Sequence, residues 1–177
     1  MAATDKMIEP LTFMYADDGA IPNNPTLPFL VYAKAINLSG RVDPAEVIEE
    51  TFRANGWDDN MWRNGVYPFP HYHSMIHEVM GIAKGRVRVR FGGKKGREID
   101  LEPGDVTVLP AGTGHERMTE SADLVVVGAY PSSGQYNLCR GSRAEHARAL
   151  QSIPLVPKPE ADPVYGADGP LVRLWGR

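Results

Sequence analysis

A chain of 177 residues, 42% of them hydrophobic and 23% charged, has an ordinary globular composition and the length of one domain able to bury a core without staples. A formal net charge of −3, with no basic stretch interleaved with aromatics, argues against a nucleic-acid partner. The single cysteine, Cys139, cannot close an internal disulfide, so nothing points to an oxidising compartment. Its reading is a small buried hydrophobe.

The segment Met1 to Phe13 carries Asp5, Lys6 and Glu9 and lacks the apolar core of a secretory signal. The longest apolar run, Leu124 to Tyr130, falls well short of the ~20 residues that span a bilayer. A cytoplasmic protein without a membrane partner is expected. Gly and Pro number 18 and 15, which favours many turns and a β-rich fold.

Residues 1–40 read as an extended, proline-marked segment. The loop Ile21-Pro22-Asn23-Asn24-Pro25 leads into an edge strand over 27–36, which opens near Pro28. A helix follows. Asp43 is its N-cap, Pro44 sits at N1 and Glu46 at N3, Val47, Ile48, Thr51 and Phe52 form its apolar stripe, and Asn55-Gly56 ends it. From Trp57 to Pro131, short β-rich runs alternate with Gly and Pro as in a sandwich or barrel. Strands are predicted over 65–73, 77–84, 86–91, 98–101, 105–109, 115–118 and 124–129. In the third, valines alternate with arginines 86, 88 and 90, which places the guanidinium groups on a solvated outer face. Gly92 to Gly96 is a hairpin turn. A second helix is predicted over 143–152, with Ser142 and Glu145 as a capping box. The proline-rich tail from Pro154 should run extended and pack at Leu171–Trp175. The chain reads as one domain over 1–177, with the helix and tail of 142–177 lying on its core.

Four of the five histidines fall in two short windows. His71 and His73, two apart on a strand, aim at one point, as a metal requires. Glu78 adds an anionic oxygen, and His115 would close the site from a distant strand. His77 precedes Glu78 by one residue, so in a regular strand it belongs to the opposite face, and a local bulge would reverse the two.

The spacing Gly65, His71, His73, Glu78, Gly85 resembles the first signature motif of the cupin superfamily, and Gly104, Pro110, Gly112, His115 resembles the second. One departure stands at Thr119, where the family often has Asn. The Ile21-Pro22-Asn23-Asn24 loop, the Trp62-Arg63-Asn64-Gly65 entry and the Pro110–His115 run are similar to small bacterial single-domain cupins of the YjlB type. This resemblance implies an all-β, jelly-roll-like barrel (a double-stranded β-helix) with flanking short helices, its metal motifs within 65–119. It also implies one divalent transition metal held by His71, His73, Glu78 and His115. A mixed N/O ligand set suits Fe, Mn, Ni or Zn.

Met80 and Ile82 share the strand face of Glu78, Tyr67 that of the His pair, and Arg117 that of His115. These four are the candidate pocket residues. Three functions follow from this reading: a metal-dependent enzyme of dioxygenase or isomerase type acting on a small polar metabolite, a non-catalytic ligand-binding or sensing module, or a barrel whose metal is structural. A homodimer formed through sheet edges is the expected assembly.

Overall fold

The structure, a computed structural model, describes residues 6–176. The first five residues of the extended N-terminal segment, and Arg177, lie outside the described residues. The elements run β1 Leu11–Phe13, β2 Phe29–Tyr32, α1 Pro44–Ala54, β3 Asp59–Asn64, β4 Glu78–Lys84, β5 Val87–Phe91, β6 Arg97–Leu101, β7 Val106–Leu109, β8 His115–Glu120, β9 Val125–Tyr130, α2 Arg143–Ser152 and α3 Pro170–Trp175, with a 3-10 turn at Ile153–Leu155 before the last helix. All strand pairs are antiparallel. Six strands form one sheet in the order β1-β2-β7-β4-β9-β3, and three form the other in the order β6-β5-β8.

Side-chain parity explains the layering. On β5, Val87, Val89 and Phe91 are buried, whereas Arg88 pairs with Asp100 on β6 and Arg90 with Glu98 and Glu116 on either side. The apolar face of β5 meets Phe29, Val31, Met80, Ile82 and Val126 of the larger sheet in one core. The opposite face of that sheet, through Leu30, Val79, Ala83, Val106, Val108 and Val127, packs on Ile48 and Phe52 of α1 and on Leu171 and Trp175 of α3. A central strand such as β4 is thus buried on both faces, its odd residues toward the helices and its even ones toward the second sheet.

Several boundaries differ from the sequence expectation. The strand expected over 65–73 does not form. Pro68 and Pro70 lack the N–H a ladder needs, and that stretch makes only isolated bridges, His71 to His115 and Tyr72 to Cys139. The strand at the sheet's edge lies earlier, over β3, and pairs with β9. The strand expected over 27–36 is confined to β2, since the chain turns at Lys34, whose φ is +54°. The tail does not stay extended. Asp162, fully buried, accepts from the backbone N–H of Val164, Tyr165 and Leu171 and from the Tyr32 hydroxyl, and so folds the chain back into α3.

The Asn-Asn loop fastens the N-terminal segment to the turn that precedes β8. Asn23, 2% exposed, donates to the carbonyls of Ala16 and Gly92 and accepts from the N–H of Gly114. Asn24 donates to the carbonyl of Ala111. The turn they hold, Pro110–Gly114, contains Gly112 at φ +96°, where a Cβ would come within 2.6 Å of the Asn23 carbonyl oxygen. That turn sets the start of β8 and with it His115. Replacing Asn23 by Ala leaves the buried Gly114 N–H without a partner, and urea denaturation should register a loss of ~1–3 kcal/mol.

Candidate metal centre

His115 opens β8 directly after the tethered turn. Its backbone exchanges two hydrogen bonds with His71, 3.1 Å from His71 N–H to the His115 carbonyl and 2.9 Å in return. Tyr72 makes the same exchange with Cys139, and the N–H of Gly112 donates to the His73 carbonyl at 2.7 Å. These bonds hold residues 71–73 extended without a strand, so His71 and His73 share one face while Tyr72 turns to the small core beside α2.

The three imidazoles are buried, and each offers a ring nitrogen within 4.8 Å of the others. In every case Nδ1 faces a backbone carbonyl: Phe69 for His71 at 2.9 Å, Asn137 for His73, and Thr113 for His115 at 3.1 Å. A carbonyl only accepts, so Nδ1 carries the proton and the Nε2 lone pair is left facing the cluster. Burial, reinforced by neighbouring His115, pushes the His71 imidazole down to about 3, which keeps it neutral at physiological pH.

Glu78, the first residue of β4, completes the cluster. Its Oε2 lies 3.3 Å from His73 Nε2 and 3.2 Å from His115 Nε2, yet it is buried without a hydrogen bond of acceptable geometry. Its other oxygen, Oε1, accepts from the Tyr130 hydroxyl at 2.9 Å. Tyr130 in turn accepts from Trp62 Nε1 at 3.3 Å. This relay fixes which carboxylate oxygen points at the histidines. The three ring nitrogens lie within 4.8 Å of one another and the anionic Oε2 lies beside two of them, with no fixed positive charge among them, an arrangement that a cation resolves. A proton is the other resolution. Burial opposes charge on both partners, but the attraction between Glu78 and His73 outweighs it, raising the His73 imidazole and holding the Glu78 carboxyl well below its usual range. Three neutral imidazoles and a carboxylate suit a first-row divalent ion.

The cluster forms the floor of a cavity of about 380 Å³. Of the four candidate pocket residues, Tyr67 and Met80 line it. Ile82 is instead packed between the sheets, because the cavity ends one pleat short of it. Arg117 lies outside, paired with Glu120 over a separate shallow depression. The other walls are Asn60, Trp62, Arg63, Asn64, Val66, Tyr130 and Tyr136, and sequence reasoning assigned none of these a role in the site. Trp62 reaches across the sheet because it pairs with Gly128, where a Cβ would meet its ring at 2.0 Å. The signal was present in part. Gly128 and Tyr130 share a face of β9, and a glycine inside a strand marks a close approach.

His77 occupies the opposite face, fully buried against Trp175, with Nδ1 accepting from the Ala111 N–H at 2.9 Å. Cys139 is also buried, behind Ser74 and Asn137, away from the cavity wall.

Burial pushes the His77 imidazole down to about 4, against about 6.5 in an unfolded chain. Between those values the unfolded state binds a proton that the folded state refuses. Stability of the metal-free protein should therefore fall as pH drops from about 6.5 toward 4, with His77 contributing up to about 3 kcal/mol and His71 acting in the same sense. Urea denaturation across that range checks this, and the His77→Gln protein should show a shallower decline.

The chain is similar to several known proteins. Uncharacterized protein YjlB of Bacillus subtilis strain 168 is 37% identical over 167 residues, covering 94% of this chain and 97% of that protein. Among solved structures, acireductone dioxygenase from Bacillus anthracis, determined with a cadmium ion in its active centre, aligns over 51% of this chain and 61% of its own length, at 20% identity and a TM-score of 0.36. A 3,4-ketoisomerase from Helicobacter canadensis aligns over 52% of this chain and 74% of its own, at 15% identity and a TM-score of 0.38. Structural likenesses this partial bear no weight for activity. The family model described as Cupin matches residues 57–151, and with that match and the YjlB relative the chain belongs to the cupin family.

Proposed function

We propose that this cupin holds one divalent transition metal ion through Nε2 of His71, His73 and His115 and Oε2 of Glu78, and that it acts as a metal-dependent enzyme on a small polar molecule bound in the cavity above. The observation that carries this reading is the buried, unpartnered Oε2 of Glu78, aimed at two imidazole nitrogens on the floor of a cavity that opens to solvent. An ion there supplies a Lewis-acidic centre that can polarise a substrate oxygen. The protein's own contribution is orientation. Backbone carbonyls fix the tautomer of each histidine, Tyr130 fixes the rotamer of Glu78, and Met80 and Val66 provide apolar wall beside the polar floor. Four protein ligands leave room for a further one in metals that accept five or six, which favours a working site over a purely structural one. A homodimer remains the proposed assembly. Strand β1 is an edge with Leu11 62% exposed, the kind of edge that a second copy covers.

Protein purified without a histidine tag should contain about one first-row divalent ion per chain by elemental mass spectrometry, as the donor set implies. His71→Ala, His115→Ala and Glu78→Ala should lose it, while His77→Ala and Cys139→Ala keep it. A chain that stays metal-free after incubation with each ion refutes the reading. Tyr130→Phe, which frees the Glu78 rotamer, should weaken metal affinity ~10–100-fold in competition with a chelator. Nitric oxide should perturb the spectrum of the Fe(II)-loaded protein; no change would identify a closed, structural metal.

A further inference from the structure

The cavity walls carry information about the ligand that the metal cluster does not. Arg63 is the one Lys or Arg among the described lining residues, and its charge is already compensated by two carboxylates: Nε and one terminal nitrogen bind Glu49 at 2.5 and 2.9 Å, and the other terminal nitrogen binds Asp43 at 2.8 Å. Apart from the proposed ion on the floor, a carboxylate or phosphate entering here would find no guanidinium or ammonium group free of a carboxylate partner among the described lining residues. The polar groups that remain are neutral. Neither the side-chain amide of Asn64 nor the hydroxyls of Tyr67 and Tyr136 make a hydrogen bond within the described chain, and the side chain of Asn60 has only a long one, 3.4 Å, to neighbouring Asp59. Asn60 reaches the rim through a bulge: three steps along β3 from Asp59 to Trp62 match two along β9, and Asn60 sits at φ +43°. Bulges re-aim side chains in this way beside binding sites.

The rings that touch one another around the cavity meet mostly at steep angles. Tyr136 stands edge-on to Tyr130 at 72° and tilted to His73 at 42°, and Tyr67 meets His71 at 79°. Tyr67 and Phe69 are nearly parallel, but they stack directly on one another with centroids 4.9 Å apart. None of these contacting pairs is parallel with open space between its faces. What the walls offer is single ring faces for C–H contacts and several neutral donors and acceptors between them. The volume, near the lower end of the ~300–1,000 Å³ usual for small-molecule sites, suits a single ring.

We propose that the ligand class of this site is an uncharged polyhydroxylated ring, a monosaccharide or cyclitol, gripped by Asn64, Asn60, Tyr67 and Tyr136 above the metal. This rests on the preceding reading of the cavity as the working face of the metal centre. Asn64 and Tyr136, exposed at the rim and outside the ligand set, are the specificity-determining residues.

The test uses calorimetric titration of the metal-loaded full chain, with metal content measured on the same samples. The probes are glucose, galactose, xylose and myo-inositol, the matched uronates glucuronate and galacturonate, and catechol as a planar control. At least one neutral ring should bind about tenfold or more tightly than the uronates and catechol. Tyr136→Phe and Asn64→Ala should each weaken that binding ~3–10-fold, the loss of one hydrogen bond, at unchanged metal content. Binding by no neutral ring, preference for a uronate or for catechol, or indifference of both variants overturns the assignment while the metal centre stands. A chain without metal overturns the earlier reading, and this one with it.

Discussion

A carboxylate buried beside three imidazoles that all present lone pairs is the constraint around which this molecule is arranged. Glu78 cannot turn toward water, and its two oxygens have different fates: one is satisfied by Tyr130, the other faces the histidines with no donor of its own. Leaving such an oxygen uncompensated costs several kcal/mol, so the cluster demands a positive charge. Much of the surrounding structure limits what that charge can be. Three carbonyls occupy the Nδ1 protons, and β4 is covered on the face away from the cavity by α1 and α3.

The carbonyls come from three places in the chain, and each is itself anchored. The Thr113 carbonyl belongs to the turn that Asn23 and Asn24 hold. The Asn137 carbonyl is fixed because its side chain accepts from the Ser74 N–H and donates to Ser74 Oγ and Cys139 Sγ. The Phe69 ring, next to its own carbonyl, lies under the guanidinium of Arg140 at 3.6 Å. Residues far from the cavity thus act on it through the tautomer and tilt of a histidine. The burial of Cys139 has the same meaning: it packs against the support of His73 and does not line the cavity above the histidines.

The division of labour across β4 follows from the two-residue period of a strand. Glu78 and Met80 face the cavity, whereas His77 and Val79 face the helices. A histidine next to a metal cluster is easily taken for a ligand. Here its imidazole is buried and its Nδ1 accepts from the Ala111 N–H, which belongs to the turn that also positions His115. The two faces of one strand are joined through that turn.

Local periodicity and local capping made part of this protein readable from the sequence alone. The i, i+2 spacing of His71 and His73, the opposite parity of His77 and Glu78, the N-caps Asp43 and Ser142, and the valine–arginine alternation of β5 are all decided within a few residues of chain. So was the family, because its motifs fix spacing within the chain. Tertiary structure decided the rest. Tyr130 reaches Glu78 across 52 residues and Trp62 reaches Tyr130 across 68, contacts that exist only through the registers of β3 on β9 and β9 on β4. The strand expected over 65–73 gave way to β3 because two prolines deny it a ladder, and that displacement brought Trp62, Asn64 and Asn60 to the cavity. Such residues carry no local signature: a tryptophan or an asparagine becomes a wall of a site only when a distant strand, and a glycine on it, leaves the space.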